Sequence, residues 1–437
     1  MMYILLLLSL VVIHFVLDFS IKKEGSVKVL YLFVTFAFIY YLGLPFELIL
    51  KGTSFGPSGF ISDRVLSIII SMGVLSLVGF LLGFYSSGFK MSIVDSLYVN
   101  KNKLLFLTVI LLFIVSGIAL ITIFRDSLLS SSTSYSGNFT ETYNSPFYAY
   151  AKEVFFTSIA ILITMLNLKG RWYLLGAILL SCLLIVFSIY TSDKDPLLLF
   201  VLSWALFFFQ SLTRMRIQRV LTYWVLFILM VFTIPTLSLL FGLNRGGVVS
   251  AFANQIEMNG IYKNFDATGP LVSLVELIEE PNVKFEYGKS YYWGFIGWIP
   301  KSIWPNRPLD LSEAYAKEKI SNWQPGQGLG YSLMTKAYKN FGVAGAIIQY
   351  FFIGLLLGLL GRFHQWLFKE PVASAVFFIW MSYSIAIMHR GPFNLPSTYL
   401  RFVLPIILLY YSIRGSLYIW KRWKIVLFFT FISLIVA

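Results

Sequence analysis

Charged residues are scarce in this 437-residue chain, where Asp, Glu, Lys and Arg together make up 12% of the sequence. A soluble domain usually carries about 25% charged residues, so this composition excludes one. Cysteine is scarcer still, since Cys182 is the one cysteine in the sequence. It lies in an apolar run, and a single cysteine excludes a disulfide bond within the chain. The three histidines lack zinc-ligand spacing, and no Walker, nucleophile-elbow or dinucleotide-binding motif occurs. We therefore expect no ATP hydrolysis and no cofactor.

Apolar residues, by contrast, make up 58% of the chain and fall into long runs. A transmembrane helix needs about 17–25 such residues. Twelve stretches reach or approach this length, at approximately 2–19, 29–50, 65–86, 104–124, 153–168, 172–190, 196–211, 220–241, 342–361, 372–388, 398–413 and 423–437, of which the last is the shortest. The sequence predicts an all-α integral membrane protein of about 12 transmembrane helices. The net charge is +14, but the basic residues are scattered between these runs and form no patch for nucleic acid.

The loops between the runs differ in charge. One alternating set carries 17 basic and four acidic residues, and the other set carries 17 basic and 16 acidic residues. The positive-inside rule places the first set in the cytoplasm, so both termini should face outward. Residues 1–241 then hold eight helices, 242–341 form one large outer-face loop, and 342–437 hold four helices. Within the loop we expect short helices at Leu271–Glu280 and Leu311–Ile320.

Four residues beside apolar segments on the predicted outer side are candidates for chemistry. Arg245 directly follows the eighth apolar run, before two glycines that allow a ligand close to the backbone. His389 and Arg390 lie in the tight turn after the tenth run, and Arg401 lies inside the eleventh, where a cation is costly unless it faces a polar cavity. Guanidinium groups can bind phosphate bidentately, although interface arginines also bind lipid headgroups.

A D-x-D pattern, Asp193-Lys194-Asp195, lies on a short outer turn. Paired carboxylates at this spacing can hold a divalent metal with phosphate oxygens. The same residues before Pro196 also form an ordinary solvated helix cap, and Lys194 could instead contact phosphate. We favour no metal site here.

The large loop contains an aromatic-rich stretch, Gly288–Pro308, in which Lys301 and Arg307 flank Trp304. Aromatic rings of this density suit stacking on sugars or seating at the membrane interface. The stretch Gly326–Gly345, which includes Tyr338, follows and leads into the ninth run.

These two stretches resemble the O-antigen and capsule polymerases, a family of oligosaccharide repeat-unit polymerases. Ile299–Pro308 is similar to the family's Pro-x-x-Ile-Trp-Pro segment, and Gly328–Gly345 is similar to its segment ending in Asn-Phe-Gly-x-x-Gly. The chain departs from the pattern at two positions. Lys336 replaces an acidic residue, and Lys194 replaces an arginine found after a middle helix.

The resemblance implies a fold related to membrane glycosyltransferases of the C type, in the bacterial inner membrane. It implies transfer of a polymer, en bloc, from undecaprenyl pyrophosphate to the next lipid-linked repeat unit, by a metal-independent inverting reaction. A chain-length regulator and a flippase of the same pathway are the implied partners, beside membrane lipid. Arg245, Arg390 and His389 would be catalytic; Arg401, Lys301, Trp304, Arg307, Tyr338 and Lys194 would bind substrate. Candidates for the base are His389, Glu276 and Asp266.

Two other functions fit parts of the sequence. A flippase or other transporter also has about twelve spans, but carriers usually show repeated halves and broken helices at midplane. An O-antigen ligase would share the chemistry and use lipid A core as acceptor.

Overall fold

The structure is a computed structural model. It describes residues 2–22, 27–52, 55–56, 59–88, 103–123, 125–126, 146–167, 171–191, 199–204, 219–242, 262, 269–296, 304, 306, 308–309, 311–321, 323, 330–367, 371–389 and 403–416. The helices are α1 (Met2–Lys22), α2 (Val27–Ala37, Phe38–Leu42 and Gly43–Lys51), α3 (Asp63–Ser86), α4 (Lys103–Thr122), α5 (Pro146–Asn167), α6 (Arg171–Thr191), α7 (Arg219–Gly242), α8 (Gly269–Glu279), α9 (Lys289–Ile296), α10 (Leu311–Lys319), α11 (Leu333–Phe341), α12 (Ala344–Leu367) and α13 (Pro371–Met388). Residues 199–204 and 404–416 are also helical.

This architecture confirms the prediction of a helical membrane protein. In the described ranges the strands are β1 (Phe55–Gly56) and β2 (Gly59–Phe60), which form a short antiparallel ladder between α2 and α3. Within the described residues, four helices are long and apolar enough to cross a membrane: Val29–Lys51, Asp63–Ser86, Lys103–Thr122 and Ala344–Trp366. The number of about twelve spans stays a prediction, and the run at 423–437 lies outside the described residues. The short helices expected in the large loop are confirmed as α8 and α10.

Helix α2 is the central element of the bundle. Its apolar window is buried along its whole length, and it contacts α1, α3, α7 and α13. Between Phe38 and Leu42 the helix widens into a π-helical turn whose five residues are all buried. Such a turn inserts an extra residue and changes the direction of the side chains, often at functional sites.

Helices α3 and α12 pack closely because both present glycines to each other. A Cβ atom built on Gly83 would lie 1.9 Å from the carbonyl oxygen of Phe351, and one built on Gly354 would lie 2.4 Å from the carbonyl oxygen of Phe80. Small residues spaced four apart allow this approach in membrane helices. The two helices run parallel, since Gly79 meets Ile347 and, one turn further along both helices, Gly83 meets Phe351.

Helix α12 begins beside the middle of α3. Gly79, which meets Ile347, lies 16 residues after the first residue of α3, whereas Ile347 lies three residues after the first residue of α12. The offset of 13 residues corresponds to about 20 Å of helix. Loop helix α8 contacts α3, and α11 contacts both α8 and α12. The loop helices therefore lie beside the part of α3 that extends past the start of α12.

Candidate functional site

Asn340 organises the segment that carries the Asn-Phe-Gly motif. Its buried side chain accepts a hydrogen bond from the backbone N–H of Gly288 at 2.8 Å and donates to the Ser290 hydroxyl at 2.6 Å. The same amide nitrogen donates to the carbonyl of Lys336 at 2.8 Å. The start of α9 is thus tied to the end of α11 through one amide, which can supply both donors and acceptors.

The two motif glycines make the turn from α11 into α12. Gly342 adopts φ 59° and ψ −146°, a conformation that is essentially restricted to glycine. A Cβ atom on Gly345 would lie 2.0 Å from the carbonyl oxygen of Ala337. A side chain at Gly342 would therefore strain the backbone of this turn, and one at Gly345 would force α11 away from α12.

A second set of polar contacts joins α8 to the start of α11. Ser332 caps α11 by accepting the N–H of Thr335 at 3.0 Å. The Thr335 hydroxyl lies 3.1 Å from that of Ser273 on α8 and donates to the carbonyl of Pro270. These side chains are buried, so their pairing avoids the cost of unsatisfied polar groups.

A cluster of two tyrosines and one histidine lies where α2, α12 and α13 meet. We refer to Tyr41, Tyr350 and His389 as the tyrosine–histidine cluster. The hydroxyl oxygens of Tyr41 and Tyr350 are 2.6 Å apart, and the Tyr41 hydroxyl lies 3.0 Å from Nδ1 of His389. All three side chains are fully buried. Nε2 of His389 has no hydrogen-bond partner among the described residues.

The surroundings of His389 are aromatic and apolar. The Phe33 ring lies 5.2 Å from the imidazole, and the Tyr40 ring stacks on it at 5.9 Å. His389 is the first residue after α13, and the π-helical turn places Tyr40 and Tyr41 against it. Its free nitrogen is therefore a buried polar group that a bound ligand could satisfy.

The cluster is connected to the loop helices through Gln349, the neighbour of Tyr350. Its amide nitrogen donates to the carbonyl of Leu333 in α11 at 2.8 Å. Its amide oxygen accepts a hydrogen bond from the hydroxyl of Tyr291 in α9. Lys336 lies 5.4 Å above the Tyr291 ring, so the lysine that departs from the family pattern makes a cation–π contact here.

Tyr262 joins the large loop to two helices of the bundle. Its backbone N–H donates to the carboxylate of Glu47 on α2, and its hydroxyl donates to the carbonyl of Val231 on α7 at 2.9 Å. Gly43 makes room for the ring, since a Cβ atom there would lie 2.2 Å from it. Glu47 also pairs with Lys51 at 2.9 Å.

Glu276, one of the candidate bases, forms an ion pair and a hydrogen bond with residues of loop helix α10. Lys319 lies 2.7 Å from its carboxylate, and the hydroxyl of Tyr315 donates to it at 2.9 Å. Partial burial raises the pKa of Glu276, but these two hydrogen bonds outweigh it and hold that pKa below its usual value. A carboxylate with a lowered pKa is a weaker proton acceptor, which disfavours Glu276 as the base.

The remaining predicted residues divide into two groups. Trp304 and Tyr338 are half-buried, and the Tyr338 ring packs 6.3 Å from that of Phe285 at the edge of the core. The others lie outside the described residues: Lys194, Arg245, Asp266, Lys301, Arg307, Arg390 and Arg401. Among the described candidates, His389 is the one placed in the tyrosine–histidine cluster.

Three buried residues were missed by the sequence analysis. Tyr41 and Tyr350 lie in apolar runs, where tyrosine is unremarkable, and 309 positions separate them. Lys152 on α5 is 6% exposed and lies 5.8 Å from the centre of the Tyr148 ring. Its position just before the fifth apolar run, where a cation marks a helix end, gave no signal of burial.

The comparison with protein families gives one result. A protein-family model described as O-antigen polysaccharide polymerase Wzy matches residues 1–422. No curated protein and no solved structure matches the chain.

Proposed function

The chain belongs to the O-antigen polysaccharide polymerase Wzy family, and we propose that it polymerises undecaprenyl-pyrophosphate-linked repeat units at the outer face of the bacterial inner membrane. The family acts on lipid-linked oligosaccharide repeat units in the membrane during lipopolysaccharide biosynthesis, which is glycosyltransferase chemistry. In this proposal the growing polymer moves en bloc onto the next repeat unit. A flippase supplies the units, and a chain-length regulator sets the polymer length.

The reaction forms one glycosidic bond and breaks one. A hydroxyl of the incoming repeat unit attacks the anomeric carbon of the polymer's first sugar from the face opposite the pyrophosphate. The bond from that carbon to the pyrophosphate oxygen breaks, and the hydroxyl proton passes to a base. Cations fixed beside the leaving oxygen lower the barrier, because negative charge develops there. Arg245 and Arg390 fill this role in the proposal, with Arg401, Lys194, Lys301 and Arg307 as further contacts to the anion.

The observation that carries this proposal beyond the family is the tyrosine–histidine cluster. It contains the buried imidazole of His389, whose Nε2 has no described hydrogen-bond partner and which directly precedes Arg390 in the sequence. The cluster touches spanning helices α2 and α12, and through Gln349 it touches loop helices α9 and α11. A substrate with a lipid tail and a sugar headgroup needs a site at such a junction.

The offset between α3 and α12 supports the same location. Because α12 begins about 20 Å along α3, its first residues and Tyr350 lie farther along the α3 axis than the first residue of α3, which in the predicted topology is a deeper position in the membrane. A lipid pyrophosphate could reach this depth while its tail stays between helices. The parallel course of α3 and α12 also supports the predicted topology, in which an even number of crossings separates them.

A deletion strain tests the function. We expect loss of the chain to collapse the surface-glycan ladder on a gel to a single repeat unit, and the wild-type chain to restore the ladder. Loss of even the single unit would instead indicate the flippase or ligase alternative. We also expect polymer formation by the purified protein to survive EDTA. Inhibition by EDTA that a divalent ion reverses would make Asp193 and Asp195 the leading site.

Complementation with arginine variants tests the proposed roles. Arg390→Ala and Arg245→Ala should leave protein abundance unchanged and shorten the ladder sharply, since one preorganised donor to a developing anion is worth about 10²–10³ in rate. Lysine should rescue in part, because it keeps the charge and loses the bidentate fork. Arg64→Ala, at an exposed position in the first turn of α3, is the matched control and should keep a normal ladder. Normal ladders in the Arg245 and Arg390 variants would remove both from the mechanism.

A further inference from the structure

The hydrogen atoms of the tyrosine–histidine cluster can be assigned by accounting for each buried donor. The Tyr350 hydroxyl is fully buried, and the contact the structure gives it is the Tyr41 oxygen at 2.6 Å. A buried hydroxyl donates its hydrogen wherever an acceptor is within reach, because an unpaired donor is costly. Tyr350 therefore donates to Tyr41.

Tyr41 must then direct its own hydrogen elsewhere. Two acceptors are within reach, Nδ1 of His389 at 3.0 Å and the carbonyl oxygen of His389 at 3.4 Å. Nδ1 is the closer, and it can accept only if it carries no hydrogen. In a neutral imidazole one nitrogen donates and the other accepts, so the hydrogen lies on Nε2.

The opposite assignment relies on poorer contacts. If Nδ1 carried the hydrogen and donated to Tyr41, Tyr41 would turn its hydrogen to Tyr350 or to the carbonyl oxygen of His389. In the first case the Tyr350 hydrogen would lose its described acceptor, and in the second the Tyr41 hydrogen would use the 3.4 Å contact to the carbonyl in place of the 3.0 Å contact to Nδ1. In both cases Nε2 would be a bare acceptor buried among rings. The chain of donation from Tyr350 through Tyr41 to Nδ1 leaves only the Nε2 hydrogen without a described partner.

We propose that Tyr41 and Tyr350 are positioning residues that hold His389 as a neutral Nε2–H donor, and that this N–H binds a phosphate oxygen of the lipid pyrophosphate. The choice of a phosphate oxygen rests on the proposed function and on the position of Arg390 next in the sequence. An N–H donor in an aromatic, water-poor setting suits an anionic oxygen, because such hydrogen bonds are stronger at low dielectric. In this arrangement His389 stabilises the leaving group and is not the base.

Nitrogen-15 NMR of histidine-labelled protein in nanodiscs tests the assignment. The full chain has three histidines, His14, His364 and His389, so the His389 resonances are those lost in His389→Gln. We expect a protonated Nε2 and an unprotonated Nδ1 in the wild type. Tyr41→Phe and Tyr350→Phe should each give a mixture of tautomers, and Tyr148→Phe, a buried tyrosine on α5, should leave the spectrum unchanged.

Two results would overturn the positioning role. One is a wild-type spectrum with a protonated Nδ1 and a bare Nε2. The other is a single unchanged tautomer after the Tyr41 hydroxyl is removed. Because the spectrum requires no polymer formation, this outcome is independent of the proposed function.

The ligand is tested by adding undecaprenyl pyrophosphate to the same nanodiscs. A shift of the Nε2 resonance in the wild type supports the phosphate contact, with undecaprenol as the control that carries the tail alone. An unchanged Nε2 resonance, or the same shift with undecaprenol, overturns the phosphate contact and leaves the tautomer result standing.

Discussion

The contact between Tyr262 and Val231 gives a quantitative prediction about how the large loop is held. Pro235 lies inside α7, and proline has no backbone N–H. The carbonyl that this N–H would normally satisfy is that of the residue four positions earlier, Val231. The Tyr262 hydroxyl donates to that carbonyl at 2.9 Å, and both residues are buried. The loop therefore supplies the hydrogen bond that the proline removed.

Removing the hydroxyl should expose this dependence. Tyr262→Phe leaves the Val231 carbonyl buried and unpaired, which costs about 1–3 kcal/mol. In a Pro235→Ala background the new N–H at position 235 can satisfy the same carbonyl. There Tyr262→Phe should cost less than about 1 kcal/mol, a coupling of about 1–2 kcal/mol between the two positions.

The measurement is equilibrium unfolding of purified protein in mixed micelles, followed by tryptophan fluorescence. Four proteins close the double-mutant cycle: the wild type, the two single variants and the double variant. Tyr287→Phe is the control, since that side chain is 75% exposed and should change the free energy of unfolding very little. An equal loss from Tyr262→Phe in both backgrounds would refute the idea that the tyrosine compensates for the proline.

Three further predictions follow from other contacts. Asn340→Ala should lower the free energy of unfolding by about 1–3 kcal/mol in the same assay, because it removes the acceptor of the part-buried Gly288 N–H and the buried hydrogen bond to Ser290. Gly83→Leu should separate α3 from α12 and reduce the folded fraction in size-exclusion chromatography, whereas Gly415→Ala, which faces open space, should not. The Glu276 pKa is lower in the folded state than in the unfolded state, so its stabilisation is present at neutral pH and is lost as pH falls through the folded-state pKa. Glu276→Gln should flatten the pH dependence of unfolding on the acidic side; an unchanged slope would contradict the pairing with Lys319.

The helices could be predicted because their signal is local. Length and apolar content determine which segments can cross a membrane, and they predicted runs at 29–50, 65–86 and 342–361, which correspond to α2, α3 and α12. Short helices were also predicted at the positions of α8 and α10. The family could be identified from two short motifs, one around Trp304 and one around Asn340, because the residues within each motif are close together in the sequence.

The polar cluster could not be predicted because its contacts are distant in sequence. Tyr41 and His389 are 348 positions apart, and each lies in or beside an apolar run that gives no indication of a partner. The π-helical turn at Phe38–Leu42, which places Tyr41 against His389, has no sequence signature comparable to a cap or a proline. A histidine at a helix end beside an arginine was the available signal, and it identified one of the three members.

The motif residues and the candidate site residue His389 occupy different parts of the structure. Asn340, Gly342 and Gly345 form hydrogen bonds and close backbone contacts that fix α11 against α9 and α12. These contacts hold α9, α11 and α12 together, and Gln349 links this frame to the tyrosine–histidine cluster. Lys336, where the resembled pattern has an acidic residue, belongs to the same frame, since its side chain lies over the Tyr291 ring. The recognisable sequence therefore marks the frame, and the proposed site residue His389 lies in the buried tyrosine–histidine cluster beside it.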